Sequence, residues 1–311
     1  MAIFTWELWE RSRVTLGGDD VQVPETFDYE RAANIDDAIA LLERHGDEAR
    51  LIAGGHSLLP MMKLRLAFPE VLIDINDVPD LDHIRIDGDE IAIGAMVRHA
   101  AILDSALLAE HYPIFRDAER VIADPLVRNR GTIGGSFCQA DPAEDLSAVG
   151  AALGGSVVVR SSSGSRTVPM REFHEGPYET KVGDAEILTE VRFPIRNATG
   201  SAYEKVERRV GDWAVAAAGA FVQLDGDMIA DAGIGLAAVG ADHFIVPDAE
   251  AALRGKPAIR ESFEEAAQLC HDQCSPVTDQ RGPEDYKRHL ARELVLRALT
   301  RATARARGEE S

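Results

Sequence analysis

A pair of adjacent glycines at the end of an apolar segment is the feature that most limits how this chain can fold. The segment ARLIAGG (49–55) is typical of a short buried strand that stops at Gly54 and Gly55, and His56 and Ser57 follow at once. Glycine adopts positive φ and lets another group approach closely, because it has no Cβ. Consecutive N–H groups in such a turn form an anion-binding site. Three interpretations therefore compete: a plain turn, a cradle for a phosphate, and a histidine that carries chemistry.

A second glycine-rich stretch, TIGGS (132–136), follows the same logic further along the chain. Ser57, Thr132 and Ser136 add hydroxyl donors to the two stretches. Two such loops could hold the diphosphate of a dinucleotide from both sides. Neither stretch is a G-x-G-x-x-G segment after a first strand or a Walker loop, so the usual Rossmann and P-loop interpretations fail. Each stretch alone is a weak signal, because Gly-Gly turns are common.

The charge balance limits the classes of partner. The 311 residues include 33 basic and 53 acidic ones, for a net charge of −20, and no basic stripe stands out. Nucleic-acid binding is therefore not expected, and an anionic cofactor would have to be held by backbone amides. No apolar run approaches the length of a membrane span, and the first residues lack the basic-then-apolar order of a signal peptide. We expect a cytoplasmic protein.

The cysteines indicate that this chain holds no metal of its own. There are three, at positions 138, 270 and 274, which is too few for a disulfide framework or for an iron–sulfur cluster with its roughly four thiolates. Cys270 and Cys274 share one face of a helix predicted from about Glu261. We interpret both as buried or half-buried helix residues.

Periodicity begins clearly only after residue 22. Residues 1–22 are interpreted as an N-terminal extension, whose aromatic side chains could dock on a partner; disorder is the alternative. Asn34 is a good N-cap for the amphipathic helix IDDAIALLERH (35–45), and a glycine follows it. Together with strands at ARLIAGG and VLIDI (71–75), this helix predicts an α/β or α+β first domain over 23–79.

Two further domains are predicted, which makes the chain α+β. The second, 80–197, combines hairpins with short helices, and the third, 201–308, combines alternating strands with two closing helices, the last starting at Pro283. The predicted elements of the second domain are a hairpin in HIRIDGDEIAIGAMV (83–97), helices at roughly 99–110, 113–122 and 144–153, a hairpin in SVVVRSSSGSRTVP (156–169) and a strand in EILTEVRFP (186–194).

Six collinear segments, taken with their spacing, resemble the FAD-binding medium subunit of the molybdenum hydroxylases, the family of xanthine dehydrogenase and aerobic carbon monoxide dehydrogenase. The resemblance runs from about Val23 to Arg305 and looks strongest to the carbon monoxide dehydrogenase branch. The segments are AGGHSLLPMMKLRLA (53–67), ADPLVRNRGTIGGSFCQADPAEDL (123–146), GPYET (176–180), EILTEVRFP (186–194), YEKVERRVGDWAV (203–215) and DQRGPEDYKRHLARELVLRAL (279–299).

The resemblance implies a fold and a cofactor site. It implies a two-part FAD-binding fold of the PCMH/VAO type, followed by a C-terminal sheet-plus-helices domain of the carbon monoxide dehydrogenase flavoprotein type. FAD would lie between the first two domains, with both glycine stretches on its diphosphate. The implied cofactor-binding residues are Ala53, Gly54, Gly55, His56, Ser57, Leu58, Thr132, Ile133, Gly134, Gly135, Ser136, Asp145, Leu188 and Lys205.

Some of these positions have specific implied roles or alternatives. Asp145 matches an acidic position near the ribityl or ribose region, with a plain helix-end carboxylate as the alternative. Leu188 matches an apolar position near the adenine or flavin end. Lys205 matches a cofactor position, with a solvated sheet residue as the alternative. Position 136 is Ser where many relatives carry Asn, and a hydroxyl can still hydrogen-bond to the cofactor.

His56 raises a separate alternative. Flavin oxidases of the same broad FAD-binding fold attach FAD covalently through a histidine in a Gly-Gly-His context, and a surface imidazole could do so here. The resemblance implies a noncovalent role instead, as a donor to phosphate or a residue that shapes the loop.

The resemblance also implies a function without catalytic residues in this chain. FAD would take electrons from two [2Fe–2S] clusters of a small subunit and pass them to an external acceptor such as quinone or the respiratory chain. A large subunit would carry the molybdenum cofactor, with or without copper, in a dimer of heterotrimers that can associate with the inner face of the membrane. Alternatives are a medium subunit acting with another substrate (xanthine, a nicotinate-like heterocycle or an aldehyde), a self-contained flavin oxidase with FAD on His56, and a FAD-fold protein that binds a partner without turnover.

Overall fold

The structure is a computed structural model that describes residues 23–309. The predicted extension, 1–22, lies outside the described residues. Helices and strands are mixed along the chain, which confirms the predicted α+β class. No helix in the described range is both long and apolar enough to span a bilayer.

A small parallel sheet opens the fold. The strands are β1 (Asp28–Arg31), β2 (Ala49–Ile52) and β3 (Val71–Asp74), in the spatial order β1-β3-β2. The helix α1 (Ile35–His45), predicted with these bounds, crosses between β1, which was not predicted, and β2, and the short helix α2 (Leu58–Lys63) follows β2. Because parallel strands end at the same edge of a sheet, the segments after β2 and β3 are neighbours.

The ends of α1 follow from its sequence. The Asn34 side chain accepts a hydrogen bond from the Asp37 N–H at 2.9 Å, which satisfies one of the unpaired amides of the first turn. Gly46 closes the helix with a φ of 54° and leads into a 3-10 turn (Gly46–Glu48). The apolar face of α1 is buried against the sheet through Ala38, Ile39 and Leu42.

A five-stranded antiparallel sheet forms the second unit, in the order β4-β5-β10-β6-β7. Its strands are β4 (Ile84–Asp87), β5 (Glu90–Gly94), β6 (Ser156–Ser161), β7 (Gly164–Pro169) and β10 (Ile187–Pro194), and a two-stranded ribbon of β8 (His174–Gly176) and β9 (Glu179–Thr180) lies between β7 and β10 in the chain. The associated helices are α3 (His99–Asp104), α4 (Ala106–His111), α5 (Ile114–Val121), α6 (Pro125–Arg128), α7 (Ile133–Gln139), α8 (Asp145–Leu153) and α9 (Met170–Phe173).

The predicted helix over 99–110 is wrong in one respect. The structure divides it into α3 and α4 at Ser105, which has extended backbone angles. The Ser105 hydroxyl accepts a hydrogen bond from the Leu108 N–H at 3.2 Å. Serine competes with the helical backbone for its own hydrogen bonds, so it starts a new helix where the periodicity alone predicts a continuous one.

The third unit is an antiparallel sheet covered by helices. The strands lie in the order β11 (Thr199–Glu207), β12 (Ala214–Asp225) and β13 (Met228–Ala237). A 3-10 turn (Asp242–Phe244) precedes three helices, not the two predicted: α10 (Pro247–Leu253), α11 (Arg260–Gln273) and α12 (Glu284–Ala306). Cys270 and Cys274 are buried in this core, as predicted, and Cys138 is exposed.

Helix α8 joins the second unit to the third. All its residues are buried, and β13 crosses it at two glycines. A Cβ added to Gly235 would lie 2.7 Å from the carbonyl carbon of Ala148 and closer still to its oxygen, and Gly233 meets Ala152 in the same way. Backbone contact therefore holds the two units together at this crossing.

We expect Gly235→Ala to lower the free energy of unfolding by roughly 1–3 kcal/mol, since the added methyl group must displace the backbone of α8. Thermal or denaturant unfolding followed by circular dichroism measures the change. Gly176→Ala is the matched control, because its added Cβ would be 3.4 Å from the nearest atom and its φ is not positive. Equal stability of both variants would contradict close packing at this crossing.

A buried histidine predicts a pH dependence of stability. Burial lowers the pKa of His174 to about 4 from its ordinary 6.5. Between these two pKa values the unfolded chain binds a proton at this histidine and the folded chain does not. The free energy of unfolding therefore decreases as the pH falls from 6.5 towards 4, by up to about 3 kcal/mol. Unfolding midpoints at both ends of this range measure the effect, and His174→Gln should flatten the dependence. If the stability of His174→Gln depended on pH as strongly as that of the wild type, other titratable groups would be responsible.

Candidate functional site

The two glycine-rich stretches lie in direct contact. We call residues 53–57 the first loop and residues 132–136 the second loop. The first loop connects β2 to α2, and the second forms the start of α7. A Cβ on Gly54 would lie 2.8 Å from the Cα of Gly131 and would overlap the carbonyl oxygen of Arg130. Only glycine at position 54 lets the backbone ahead of the second loop approach this closely.

Two polar side chains lock this contact in place. Asn76 Nδ2 donates to the Ala53 carbonyl at 2.8 Å and to Asp74 Oδ1 at 2.6 Å. Arg98 Nη2 donates to Asn76 Oδ1 at 2.8 Å, and Arg98 Nη1 donates to the carbonyl of Arg130. The chain of hydrogen bonds thus runs from one loop to the segment that precedes the other.

Sequence reasoning missed Asn76 and Arg98. Asn76 comes just after β3, at the carboxyl edge of the parallel sheet. This position next to the end of β2 could have predicted a contact with the first loop. Arg98 lies between β5 and α3, and nothing in its sequence surroundings indicated that it would reach back to the first domain.

The first loop presents unused backbone donors. Gly55 has a φ of 78°, which turns the chain sharply. The N–H groups from Gly54 to Leu58 donate no hydrogen bond to any group within residues 23–309. Because buried or half-buried amides are normally paired, a run of free ones indicates a place for an anion.

The side chains of the first loop have different environments. His56 is exposed, whereas Ala53, Ser57 and Leu58 are half-buried. Ser57 Oγ donates to Gln139 Oε1 at 2.8 Å, which ties the first loop to the last residue of α7. The hydroxyl of Ser57 therefore orients the loop in this structure.

The N–H groups of the second loop already donate hydrogen bonds within the protein. The N–H groups of Ile133 and Gly134 donate to the carbonyls of Val97 and Ala95 at 3.0 and 2.9 Å. Thr132 is buried and caps α7, with its hydroxyl accepting from the Gly135 N–H at 3.1 Å. The two loops therefore differ: the first offers free N–H donors, whereas the second exposes Gly135 and buries Gly134 against Ala95.

Leu188 lies on a strand that supports the start of the second loop's helix. It is buried on β10, next to a bulge between Leu188 and Glu190. The Thr189 carbonyl within this bulge accepts from the Ala95 N–H at 2.9 Å, and the Ala95 carbonyl accepts in turn from Gly134. The bulge in β10 thus sets the position of the start of α7.

A row of three polar side chains leads from the second loop into the interior. Ser136 Oγ lies 3.2 Å from His99 Nε2, and His99 Nδ1 lies 2.9 Å from Glu119 Oε1. His99 and Glu119 are both buried. Burial opposes a charge on His99, but the adjacent Glu119 carboxylate and its hydrogen bond outweigh this, so the pKa of His99 is raised.

Asp145 and Lys205 form a buried ion pair. Lys205 Nζ donates to Asp145 Oδ2 at 2.8 Å and to the Val121 carbonyl at 3.1 Å. The Tyr203 hydroxyl donates to Asp145 Oδ1 at 2.7 Å. The Lys205 side chain is only 2% exposed, so the alternative of a solvated sheet residue is wrong. Burial raises the pKa of Asp145 in spite of its partners.

The comparisons with known proteins identify the family. Residues 25–196 match the family described as the FAD binding domain in molybdopterin dehydrogenase, and residues 201–302 match the CO dehydrogenase flavoprotein C-terminal domain. The chain therefore belongs to the FAD-binding subunits of the molybdopterin dehydrogenases. The resemblance stated from the sequence is confirmed.

Individual relatives are similar over nearly their whole length. The chain is 39% identical to the carbon monoxide dehydrogenase medium chain of Afipia carboxidovorans, over 92% of this chain and 99% of the relative. It is 38% identical to the nicotine 6-hydroxylase medium subunit of Paenarthrobacter nicotinovorans, over 89% and 97%. A solved carbon monoxide dehydrogenase from Hydrogenophaga pseudoflava superposes with a TM-score of 0.88 at 41% identity, covering 91% of this chain and 99% of that one.

The geometry fits the cofactor that the family binds. The free amides of the first loop are available as donors to an anion, and the absence of a side chain at the exposed Gly135 leaves the backbone of the second loop open to a ligand. These features are independent of the family match and point to the same group.

We expect Gly54→Ala to weaken FAD binding at least tenfold, or about 1.4 kcal/mol, because the methyl group would separate the two loops. The flavin-to-protein absorbance ratio after purification measures the loss, with circular dichroism to confirm folding. Gly176→Ala, whose added Cβ would be no closer than 3.4 Å to any atom, is the control. A folded Gly54→Ala variant with full flavin content would show that the contact between the loops does not hold FAD.

Proposed function

We propose that this chain is the FAD-containing electron-transfer subunit of an aerobic carbon monoxide dehydrogenase, a complex that converts CO and water to CO2, two protons and two electrons. The observation that carries the proposal is the 39% identity to a carbon monoxide dehydrogenase medium chain across 99% of that relative. FAD supplies the chemistry of accepting and releasing electrons. The chain itself supplies the site that holds and orients the flavin.

The proposed contacts follow the site as described above. The free amides from Gly54 to Leu58 bind the diphosphate, with Ala53 at the start of the first loop, and the second loop (Thr132 to Ser136) forms the opposite wall. Asp145, Leu188 and Lys205 complete the site by the family pattern. In this structure, Asp145 and Lys205 neutralise each other behind the second loop, which supports a role in shaping the site. The proposed domains are 23–79 and 80–197 for FAD and 201–308 as the C-terminal domain.

No residue of this chain is assigned to substrate chemistry. Electrons enter from [2Fe–2S] clusters of a small subunit and leave to an external acceptor such as quinone. Molybdenum, with copper, is held by a large subunit, and the assembly is a dimer of heterotrimers. The proposed location is the cytoplasm, at the inner face of the membrane, where a quinone acceptor is within reach.

The substrate is the least constrained part of the proposal. A relative named as a nicotine 6-hydroxylase medium subunit is almost as similar as the carbon monoxide dehydrogenase relatives. Medium subunits that serve different substrates thus share this sequence pattern, which supports the view that the large subunit selects the substrate. The self-contained oxidase with FAD on His56 is not favoured, because the relatives reported above are medium subunits or chains.

We expect the complex purified from its native host to contain molybdenum and copper in equal amounts, with about four iron atoms per FAD for two [2Fe–2S] clusters. Elemental analysis combined with flavin quantification measures these ratios. Acid denaturation should release the flavin, because the proposed binding is noncovalent.

The alternatives give different results in the same experiment. Molybdenum and iron without copper would keep the subunit role and replace CO by a heterocycle or an aldehyde. A lone flavoprotein without metal, with flavin that stays on the denatured chain, would contradict the subunit role and favour covalent attachment to His56.

A further inference from the structure

The row Ser136–His99–Glu119 connects the second loop to the buried interior. It begins at the second loop and ends at a carboxylate whose side chain is 0% exposed. The His99 ring also lies directly beneath the backbone of the second loop's start, since a Cβ on Gly131 would be 2.7 Å from His99 Cδ2. The imidazole is therefore held on two sides and connects the loop surface to a buried acid.

The proton on His99 Nε2 decides what Ser136 offers to a ligand. With that proton present, Nε2–H donates to Ser136 Oγ, and the serine O–H is free to donate outwards. Without it, Nε2 accepts from the serine O–H, and only oxygen lone pairs face outwards. A diphosphate oxygen accepts hydrogen bonds and repels lone pairs, so the two states differ sharply in their affinity for it.

This conclusion does not depend on where the second proton lies. A proton is shared between His99 Nδ1 and Glu119 in both states, as the 2.9 Å separation requires. Whether it belongs formally to the imidazole or to the carboxyl group, the extra proton of the protonated pair is on Nε2. The pair as a unit thus sets the direction of the serine hydrogen bond.

The surrounding charges favour the protonated pair. Burial opposes a proton on His99, whereas Glu119 on α5, and Glu144 and Asp145 at the start of α8 when ionised, raise its pKa. Burial raises the pKa of Glu144 itself to about 7. Burial raises the pKa of Glu119, and the charge of Arg128 on α6 acts to lower it. Lys205 on β11 is paired with Asp145. A bound diphosphate would add negative charge on the other side of the imidazole and stabilise its proton further.

We propose that His99 is a positioning residue for the cofactor: its Nε2 proton turns the Ser136 hydroxyl into a donor to an FAD diphosphate oxygen, so that tight FAD binding requires one proton on the Ser136–His99–Glu119 row. This inference rests on the proposed FAD site. It predicts that affinity for FAD is high at neutral and lower pH and falls, by roughly 10- to 100-fold for a charge-assisted hydrogen bond, once the row loses its proton.

The test is the dissociation constant of FAD for the full-length chain freed of flavin, measured by flavin fluorescence between about pH 6 and pH 9. Ser136→Ala should bind FAD more weakly at low pH, with no remaining fall at high pH. Ser136→Asn supplies an amide donor that does not depend on His99, so it should restore affinity without the pH dependence.

Glu119→Gln tests the buried end of the row. The amide keeps the shape and a hydrogen bond but removes the carboxylate that holds the proton, so the fall in affinity should move to lower pH. This variant avoids the uncompensated buried carboxylate that removal of His99 would leave. Circular dichroism at each pH confirms that the variants remain folded.

The possible outcomes distinguish a failure of the proposed role of His99 from a failure of the proposed FAD site. A wild-type affinity that is constant over the pH range, a fall that survives Ser136→Ala, or an unshifted fall in Glu119→Gln would each overturn the role of His99. Failure of the wild-type chain to bind FAD at any pH would instead overturn the proposed function on which the row depends.

Discussion

The contact between Gly54 and the backbone of Arg130 and Gly131 is the constraint on which the rest of the site depends. It joins a loop that ends a parallel strand to a loop that starts a helix in a different sheet unit. A single methyl group at position 54 would separate them. Asn76 and Arg98 then hold the contact by hydrogen bonds to the carbonyls on either side. The two loops are thus brought together by direct backbone contact, and the side chains of Asn76 and Arg98 stabilise that contact.

A strongly acidic protein that holds an anionic cofactor has to solve an electrostatic problem. Here the first loop contributes free amides instead of lysines or arginines. Behind the second loop, the buried acids Glu119 and Asp145 each have a cationic or proton-bearing partner, His99 and Lys205. The negative charges of these two buried acids are therefore balanced by their partners. The acidic net charge of the chain does not extend to this part of the interior.

Much of the fold could be predicted because local signals agreed with the tertiary structure. The Asn34 cap, the Gly46 stop and the Asp-Gly hairpin all act within a few residues, and the structure has each of them. The errors were also local: Ser105 divides a helix by capping the next one, and α10 was not predicted. The two glycine loops could be recognised from composition and spacing, and the family was identified from them and from four further segments.

By itself, the sequence determined the class of fold, the two glycine loops and the family, since these depend on short-range chemistry and on collinear patterns. Tertiary structure alone decided that the two loops differ, that Lys205 is buried on Asp145, and that Ser136 is connected through His99 to Glu119. These pairs come from distant parts of the chain. No local propensity reports which buried groups will meet, because the meeting is fixed by packing between sheets and helices that only the assembled fold brings together.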